Sequence, residues 1–230
     1  MEDKRHIGDL FDRIAGSYDH MNHLLSVNID KCWRRQAVRA MQPAQQVLDV
    51  AVGTGDLATE LLRRNKAETV TGVDLSNVMM HYAAEKAELY QLGHRLTLEQ
   101  GNAQNLQYAD NRFDAVTCAY GVRNFADLDA GLREMYRVLR PGGQLVILEF
   151  SYPTNTVIRW VYDLYFSHIM PLVGKCLSKD KTAYNYLCHS VKHFIWGEQM
   201  VSHLQQAGFK NVLFRPQTFG ISTLYTATKP

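Results

Sequence analysis

Cysteine is scarce and scattered. The four present, Cys32, Cys118, Cys176 and Cys188, stand far apart with no C-x-x-C pair among them. Neither a zinc site nor a disulfide framework is therefore expected, no other metal site is read from the sequence, and a reducing cytoplasm suits the chain. Long apolar runs are missing too. The greasiest stretch, residues 157–177, is broken by Arg159, Asp163, His168, Pro171 and Lys175, so it is not read as a bilayer span. Residues 1–6 are charged where an export signal needs an apolar core. Charge of one sign is also lacking, since 25 Lys and Arg face 23 Asp and Glu. The densest basic pairs, Arg34-Arg35 and Arg63-Arg64, read as solvated helix faces, and no nucleic-acid partner is expected. There is no internal repeat, and 230 residues suit one α/β domain with a substantial core.

What is present is alternation. Residues 46–52 form a short β-rich apolar run that ends in Gly53-Thr54-Gly55, and residues 56–64 then place Leu57, Leu61 and Leu62 on one helical face. The pattern repeats: strand 69–75, helix 78–92, strands 96–100 and 113–119, helix 127–139 stopped by Pro141-Gly142-Gly143, and strand 144–150. Helix 197–207 stops at Gly208. Strands 211–216 and 222–228 follow, too closely spaced for a crossover helix, so they should pair antiparallel at the sheet edge. The reading is α/β, a Rossmann-like and mostly parallel seven-stranded sheet with an antiparallel C-terminal hairpin and helical lid and cap elements. The expected division is a helical lid (1–44), a core (45–150), a helical cap (151–196), and a terminal helix and hairpin (197–230). Lid and cap are rich in aromatics, Met and His, and both leave the sheet where α/β folds bind ligands.

The glycine turn has the context that gives it meaning, between a strand and a helix. Gly53 and Gly55 relax the turn and let backbone approach a ligand, with Asp49 and Thr54 beside them. Asp74 closes the second strand about 20 residues further on, where a carboxylate accepts bonds from two ribose hydroxyls; its alternative, a helix N-cap, better suits Ser76. Asn102 and Ala103, after the third strand, are placed to meet an adenine, with an ordinary turn as the other reading. Gly53-Thr54-Gly55-Asp56-Leu57-Ala58 also fits a dinucleotide pattern, and a nicotinamide-dependent reductase is the rival. Asp56 argues against it, because a carboxylate in the first helical turn repels a pyrophosphate. A phosphate-free sulfonium cofactor has no such conflict, and its ammonium would be drawn to Asp49 or Asp56.

Residues 11–22, running from Phe11-Asp12-Arg13 through Tyr18-Asp19 to Met21-Asn22, carry the first of several linked motifs. Others are Val47 to Leu57, Tyr120-Gly121-Val122-Arg123-Asn124, Arg137 to Gly143, Leu148-Glu149-Phe150-Ser151 and Ala183-Tyr184-Asn185-Tyr186. Taken in order, these resemble the ubiquinone/menaquinone biosynthesis C-methyltransferases, most closely the demethylmenaquinone branch. The resemblance implies a class I fold, S-adenosylmethionine as cofactor with Thr54, Asp74, Asn102 and Ala103 in contact with it, and a polyprenyl quinol as substrate. It implies conversion of demethylmenaquinol to menaquinol, with the benzoquinol of the ubiquinone pathway as the alternative. Ala119 departs from a serine found in some ubiquinone-branch members.

Methylating a quinol carbon requires a ring made nucleophilic by loss of a hydroxyl proton, and a phenol titrates near pH ~10. Arg123 is the first candidate for stabilising the oxyanion, with Asn124 on the ring oxygen or the loop. The competing role for Arg123 is bracing the turn through Asp127. Tyr18, Asp19 and His23, from the lid, are candidates to orient the quinol or take its proton, with surface or lid packing the other reading of His23, and Tyr184 and Tyr186 to line its pocket or fill the core. Ile158, Trp160, Val161, Tyr162, Leu164, Tyr165, Phe166, Ile169 and Met170 exceed what one helix buries. They predict a cap in transient contact with a membrane surface, at the inner face of the membrane for a cytoplasmic enzyme, or packed on its own domain or a homodimer mate.

Overall fold

The computed structural model describes residues 7–165, 167 and 181–230. Among them the sheet has seven strands: β1 (Ala44–Val50), β2 (Ala67–Asp74), β3 (Leu96–Gln100), β4 (Phe113–Ala119), β5 (Leu139–Phe150), β6 (Lys210–Gln217) and β7 (Ser222–Thr228). Their order is β3-β2-β1-β4-β5-β7-β6. The pairs among β1 to β5 are parallel, while β7 runs antiparallel between β5 and β6.

Side-chain alternation explains the near-continuous apolar character of the central strands. Leu48 and Val50 of β1, with Leu145 and Ile147 of β5, pack into one core layer; Val47, Val146 and Leu148 point into the other. The first layer is closed by α5 (Leu128–Val138) and α8 (Glu198–Gln206), the second by α2 (Ile29–Ala40), α3 (Asp56–Arg63) and α4 (Asn77–Leu89). Ser76 caps α4, its hydroxyl accepting from the Met79 amide at 3.0 Å.

Two boundaries differ from expectation by three residues or more. β5 begins at Leu139 rather than at Gln144, so Pro141-Gly142-Gly143 is a bulge inside the strand, with the pairing to β4 slipping between Phe113 and Ala115. A bulge tolerates a proline that lacks a donor, and Gly142 supplies the positive φ of 75°. α4 stops at Leu89, because Gln91 adopts a left-handed φ of 58°.

Of the lid, α1 (Ile7–Leu25) crosses the carboxyl side of the sheet and reaches α4, α2 and α7 (Lys181–His193). Of the cap, α6 (Thr156–Leu164) and α7 are described; Phe166, Ile169, Met170 and Cys176 lie outside the described residues, as does the side chain of Tyr184. No helix among the described residues is long and apolar enough to cross a membrane.

Candidate functional site

Two cavities open at the carboxyl ends of β1, β2 and β4. The first, about 280 Å³, is lined by Asp49, Gly53, Thr54, Asp56, Asp74, Asn102, Ala103 and Asn124 among others. Eight of the proposed cofactor and catalytic positions, Tyr18 included, thus converge on one space. Asp74 is held there by two backbone donors, the amides of Gly53 at 2.8 Å and Ser76 at 2.9 Å. The first of these ties the acid to the glycine turn, the geometry expected if both face one ligand. A Cβ at Gly53 (φ 54°) would meet nothing within 4 Å, so this backbone is open to the cavity.

Gly55 has a different job from the one expected. It does not line the cavity; a Cβ there would lie 2.8 Å from that of Ala83, so its missing side chain lets α3 approach α4. Asn102 directs its carbonyl oxygen at the Gln104 amide, 2.9 Å away, and closes a turn while lining the cavity.

The three acids differ in electrical state. Burial pushes Asp49 up to about 7, against the Thr117 hydroxyl that donates to it at 2.7 Å. Burial also raises Asp74, although its backbone donors oppose the shift. For Asp56 burial works upward but is outweighed by Arg34 at 3.1 Å and Lys86 at 2.5 Å, which leave it lowered. Its charge is therefore answered within the protein, and Asp49 is the acid better placed to meet a ligand cation.

The second cavity, about 450 Å³, is walled mainly by apolar side chains from α1, α2, α6, α7 and the link between β6 and β7. It shares Phe11, Tyr18, Arg34 and Tyr120 with the first. Arg123 lines it, only 4% exposed, and donates to Glu149 Oε1 at 2.8 Å and to the Tyr120 carbonyl at 2.5 Å. Its partner is thus Glu149 and not Asp127, whose carboxylate caps α5 by accepting from the Ala130 amide. Desolvation works to neutralise Arg123, yet Glu149 raises its pKa and keeps it charged. Tyr18, beside it, has its phenol raised chiefly by burial. Tyr120 sits where the cavities meet, in a left-handed φ of 59°, its ring stacked on Phe150 at 4.4 Å. Asn124 Oδ1 accepts from the Tyr186 hydroxyl at 2.9 Å, which couples the strand-end motif to α7.

His23 lines neither cavity. Its Nδ1 lies 2.7 Å from Asp30, which also accepts from Ser26 and Arg34, and its Nε2 lies 3.9 Å from Asp56. The ligand atoms of His23, Asp30 and Asp56 fall within 4.8 Å of one another, but the Arg34 guanidinium bridges the two carboxylates, so the cluster is neutralised from within. Asp19, from the same helix, accepts from the Thr54 hydroxyl at 2.5 Å and pairs with Lys86 at 2.6 Å. Arg34, expected on a solvated helix face, is instead 8% exposed because Asp30 and Asp56 hold its guanidinium inside, and Glu149 is the residue sequence reasoning left without a role. A lone acid inside the apolar run of β5 was the available signal for Glu149.

The donor set fits a cationic, phosphate-free nucleoside. Acids ring the first cavity, its glycine turn leaves backbone uncovered, and Asp56 stands where a pyrophosphate would need bare amides. A family model described as the ubiE/COQ5 methyltransferase family matches residues 1–229. The demethylmenaquinone methyltransferase of Bacteroides fragilis is 45% identical over 225 residues, covering 97% of this chain and 92% of the relative. The ubiquinone/menaquinone biosynthesis C-methyltransferase UbiE of Geotalea daltonii is 40% identical, covering 97% and 96%. Among solved structures, the [4+2]-cyclase SpnF superposes with a TM-score of 0.73 at 19% identity, covering 99% of this chain and 97% of that one. A SAM-dependent methyltransferase of Thermotoga maritima gives 0.68 at 20%, covering 98% and 100%. At such identities the likeness establishes the fold alone.

Proposed function

The chain belongs to the ubiE/COQ5 methyltransferase family, and from that premise we propose that it transfers a methyl group from S-adenosylmethionine to a ring carbon of demethylmenaquinol. The observation that carries this reading is the junction of a cavity lined by three acids with a larger, more apolar one at Phe11, Tyr18, Arg34 and Tyr120. Cofactor and greasy acceptor meet there. The naphthoquinol is preferred to a benzoquinol because demethylmenaquinone methyltransferases stand at 45% and 42% identity, against 40% for the relative named for both quinones.

In the first cavity, Asp74 takes the ribose hydroxyls, Asn102 and Ala103 flank the base, and Asp49 pairs with the methionyl ammonium. When bound, the cofactor supplies a methyl group already activated by a sulfonium charge. The protein's work lies on the acceptor side. Arg123 lowers the pKa of a quinol hydroxyl by stabilising its anion, each decade corresponding to about 1.36 kcal/mol. Glu149 fixes the direction of the guanidinium. Tyr18, kept neutral by burial, donates a hydrogen bond to the ring oxygen and does not serve as the base. His23 orients Asp30 from outside both cavities rather than taking the quinol proton directly. Asn124 holds the motif against α7.

Turnover of a radiolabelled methyl donor with demethylmenaquinol, and separately with the benzoquinol precursor, tests the assignment; label in neither product overturns it. Arg123→Ala is expected to lower kcat by about 10²- to 10³-fold. Full turnover by that variant refutes the electrostatic role.

The same reading extends to a membrane surface. Val157, Trp160, Val161 and Leu164 recur at helical spacing on α6, and all four are exposed, Trp160 at 66%. An apolar stripe carrying Trp, beside a cavity for a lipid-borne substrate, suits shallow insertion at the inner face of a membrane. Co-sedimentation with anionic vesicles should be lost in Trp160→Asp. A homodimer that buries this face, seen by sedimentation velocity, would overturn the assignment.

A further inference from the structure

The link between β6 and β7 has a conformation that packing does not call for. Thr218, Phe219 and Gly220 are successively left-handed, with φ of 43°, 58° and 87°, and two of the three are not glycine. L-residues avoid this region because Cβ crowds the following carbonyl, so the surrounding structure must impose it. Its imposition is visible. The buried Trp33 donates from Nε1 to Thr218 Oγ1 at 2.8 Å, and Ser151 Oγ donates to the Gly220 carbonyl at 2.8 Å.

The result of this bracing is an aromatic ring held in the open. Phe219 is 76% exposed and belongs to neither core layer, yet it lines the apolar cavity. Val27 and Ile29, at the bend between α1 and α2, and Val161 of α6 also line it while remaining exposed. Four apolar side chains from three parts of the chain therefore belong at once to the cavity wall and to the surface, which makes them its rim. Hydrophobic surface of this kind is stabilised only when something apolar covers it, and here the cover must leave the cavity outward.

We infer that Phe219, set by the turn Thr218–Gly220 and its Trp33 brace, grips the first isoprene units of the substrate tail at the cavity mouth and sets the preference for tailed over tail-less quinols. This rests on the quinol reading above. Trp33 acts on Phe219 as a positioning residue, its Nε1 holding the turn while its ring stays in the cavity wall.

The test compares kcat/KM for a demethylmenaquinol bearing two isoprene units with that for 1,4-naphthalenediol, which has the ring and no tail. Phe219→Ala should lower the ratio of the two values about tenfold, which corresponds to about 1.4 kcal/mol, the order expected for uncovering part of an aromatic side chain. Trp33→Phe, which keeps an aromatic ring but loses the donor, should lower the same ratio; its melting curve shows that the chain is folded. A ratio unchanged in Phe219→Ala, with both quinols methylated, overturns the inference and leaves the methyl transfer standing. Turnover of neither quinol by the unsubstituted chain overturns the quinol reading itself, and this inference with it.

Discussion

The proposed pairing of Asp49 with the methionyl ammonium predicts cofactor binding that strengthens as pH rises. Its carboxyl lies at the end of β1, 2% exposed, and burial pushes it up to about 7 from an ordinary 3.8. Only the ionised form pairs with the methionyl ammonium. With a pKa of about 7, about one molecule in eleven is ionised at pH 6 and about ten in eleven at pH 8, so affinity should rise about tenfold across that interval. At pH 7, binding should release about half a proton. Calorimetric titration with S-adenosylhomocysteine, in buffers of different ionisation heat, measures both quantities. Asp49→Asn should abolish the proton release and flatten the pH dependence. Stability runs the other way. Because the folded pKa exceeds the unfolded one, the native state holds the proton more tightly between about pH 4 and 7. Stability is then greatest below the unfolded value and falls as pH rises towards 7, by on the order of 4 kcal/mol if nothing else titrates. A dissociation constant that is flat from pH 6 to 8, or proton release that persists in Asp49→Asn, refutes the assignment of Asp49 to the ammonium.

Breaking the buried pair of Arg123 and Glu149 by Glu149→Gln leaves a desolvated cation with a weaker partner, and a loss of about 3–5 kcal/mol should appear in chemical denaturation; an unchanged midpoint would mean that the pair is not buried as described. The two glycines of the cofactor turn should separate cleanly. Gly55→Ala combines a left-handed φ of 75° with a Cβ 2.8 Å from Ala83, and should cost about 2–4 kcal/mol of stability. Gly53→Ala meets no neighbour and should cost only the dihedral strain, about 1–2 kcal/mol, while weakening S-adenosylhomocysteine binding by intruding on the cavity. Equal loss of stability in both variants would refute this division.

The strands β3, β4 and β7 were legible to the residue because apolar runs there are bounded by turn-forming residues on both sides. β5 was not, since Pro141-Gly142-Gly143 has the composition of a loop and only the facing strand reveals it as a bulge. The convergence of Gly53, Asp74 and Asn102 on the first cavity was legible for a related reason: their positions follow from the ends of three parallel strands, and strand ends are what periodicity locates. Glu149 escaped a role because its partner arrives from the end of β4, a neighbour in space whose side-chain direction no spacing gives. His23 falls to its packing reading, away from both cavities, for a similar cause. The rotation of α1 is set by charges on α2, α3 and α4, namely Asp30, Arg34, Asp56 and Lys86, and a local helical pattern carries none of that information.

That network also divides α1 by face, polar residues and apolar ones alternating along the helix. Toward the cofactor turn its contacts are polar: Asp19 accepts from Thr54 and pairs with Lys86, while Asp12 accepts from the Ser76 hydroxyl. Toward α7 they are apolar, with Leu10 packed among Phe11, Ile14 and Tyr186. Thr54 and Ser76 follow β1 and β2, the strands that carry Asp49 and Asp74, so the loops beside these two acids also hold α1. Phe11 and Tyr18 lie on the same helix and face both cavities. A displacement of α1 therefore cannot open the acceptor cavity without disturbing the hydroxyl contacts beside the cofactor. Conversely, whatever orders the glycine turn also orders the wall against which the quinol must sit. The helix thus couples the two halves of the site mechanically, through polar bonds on one face and a small apolar cluster on another.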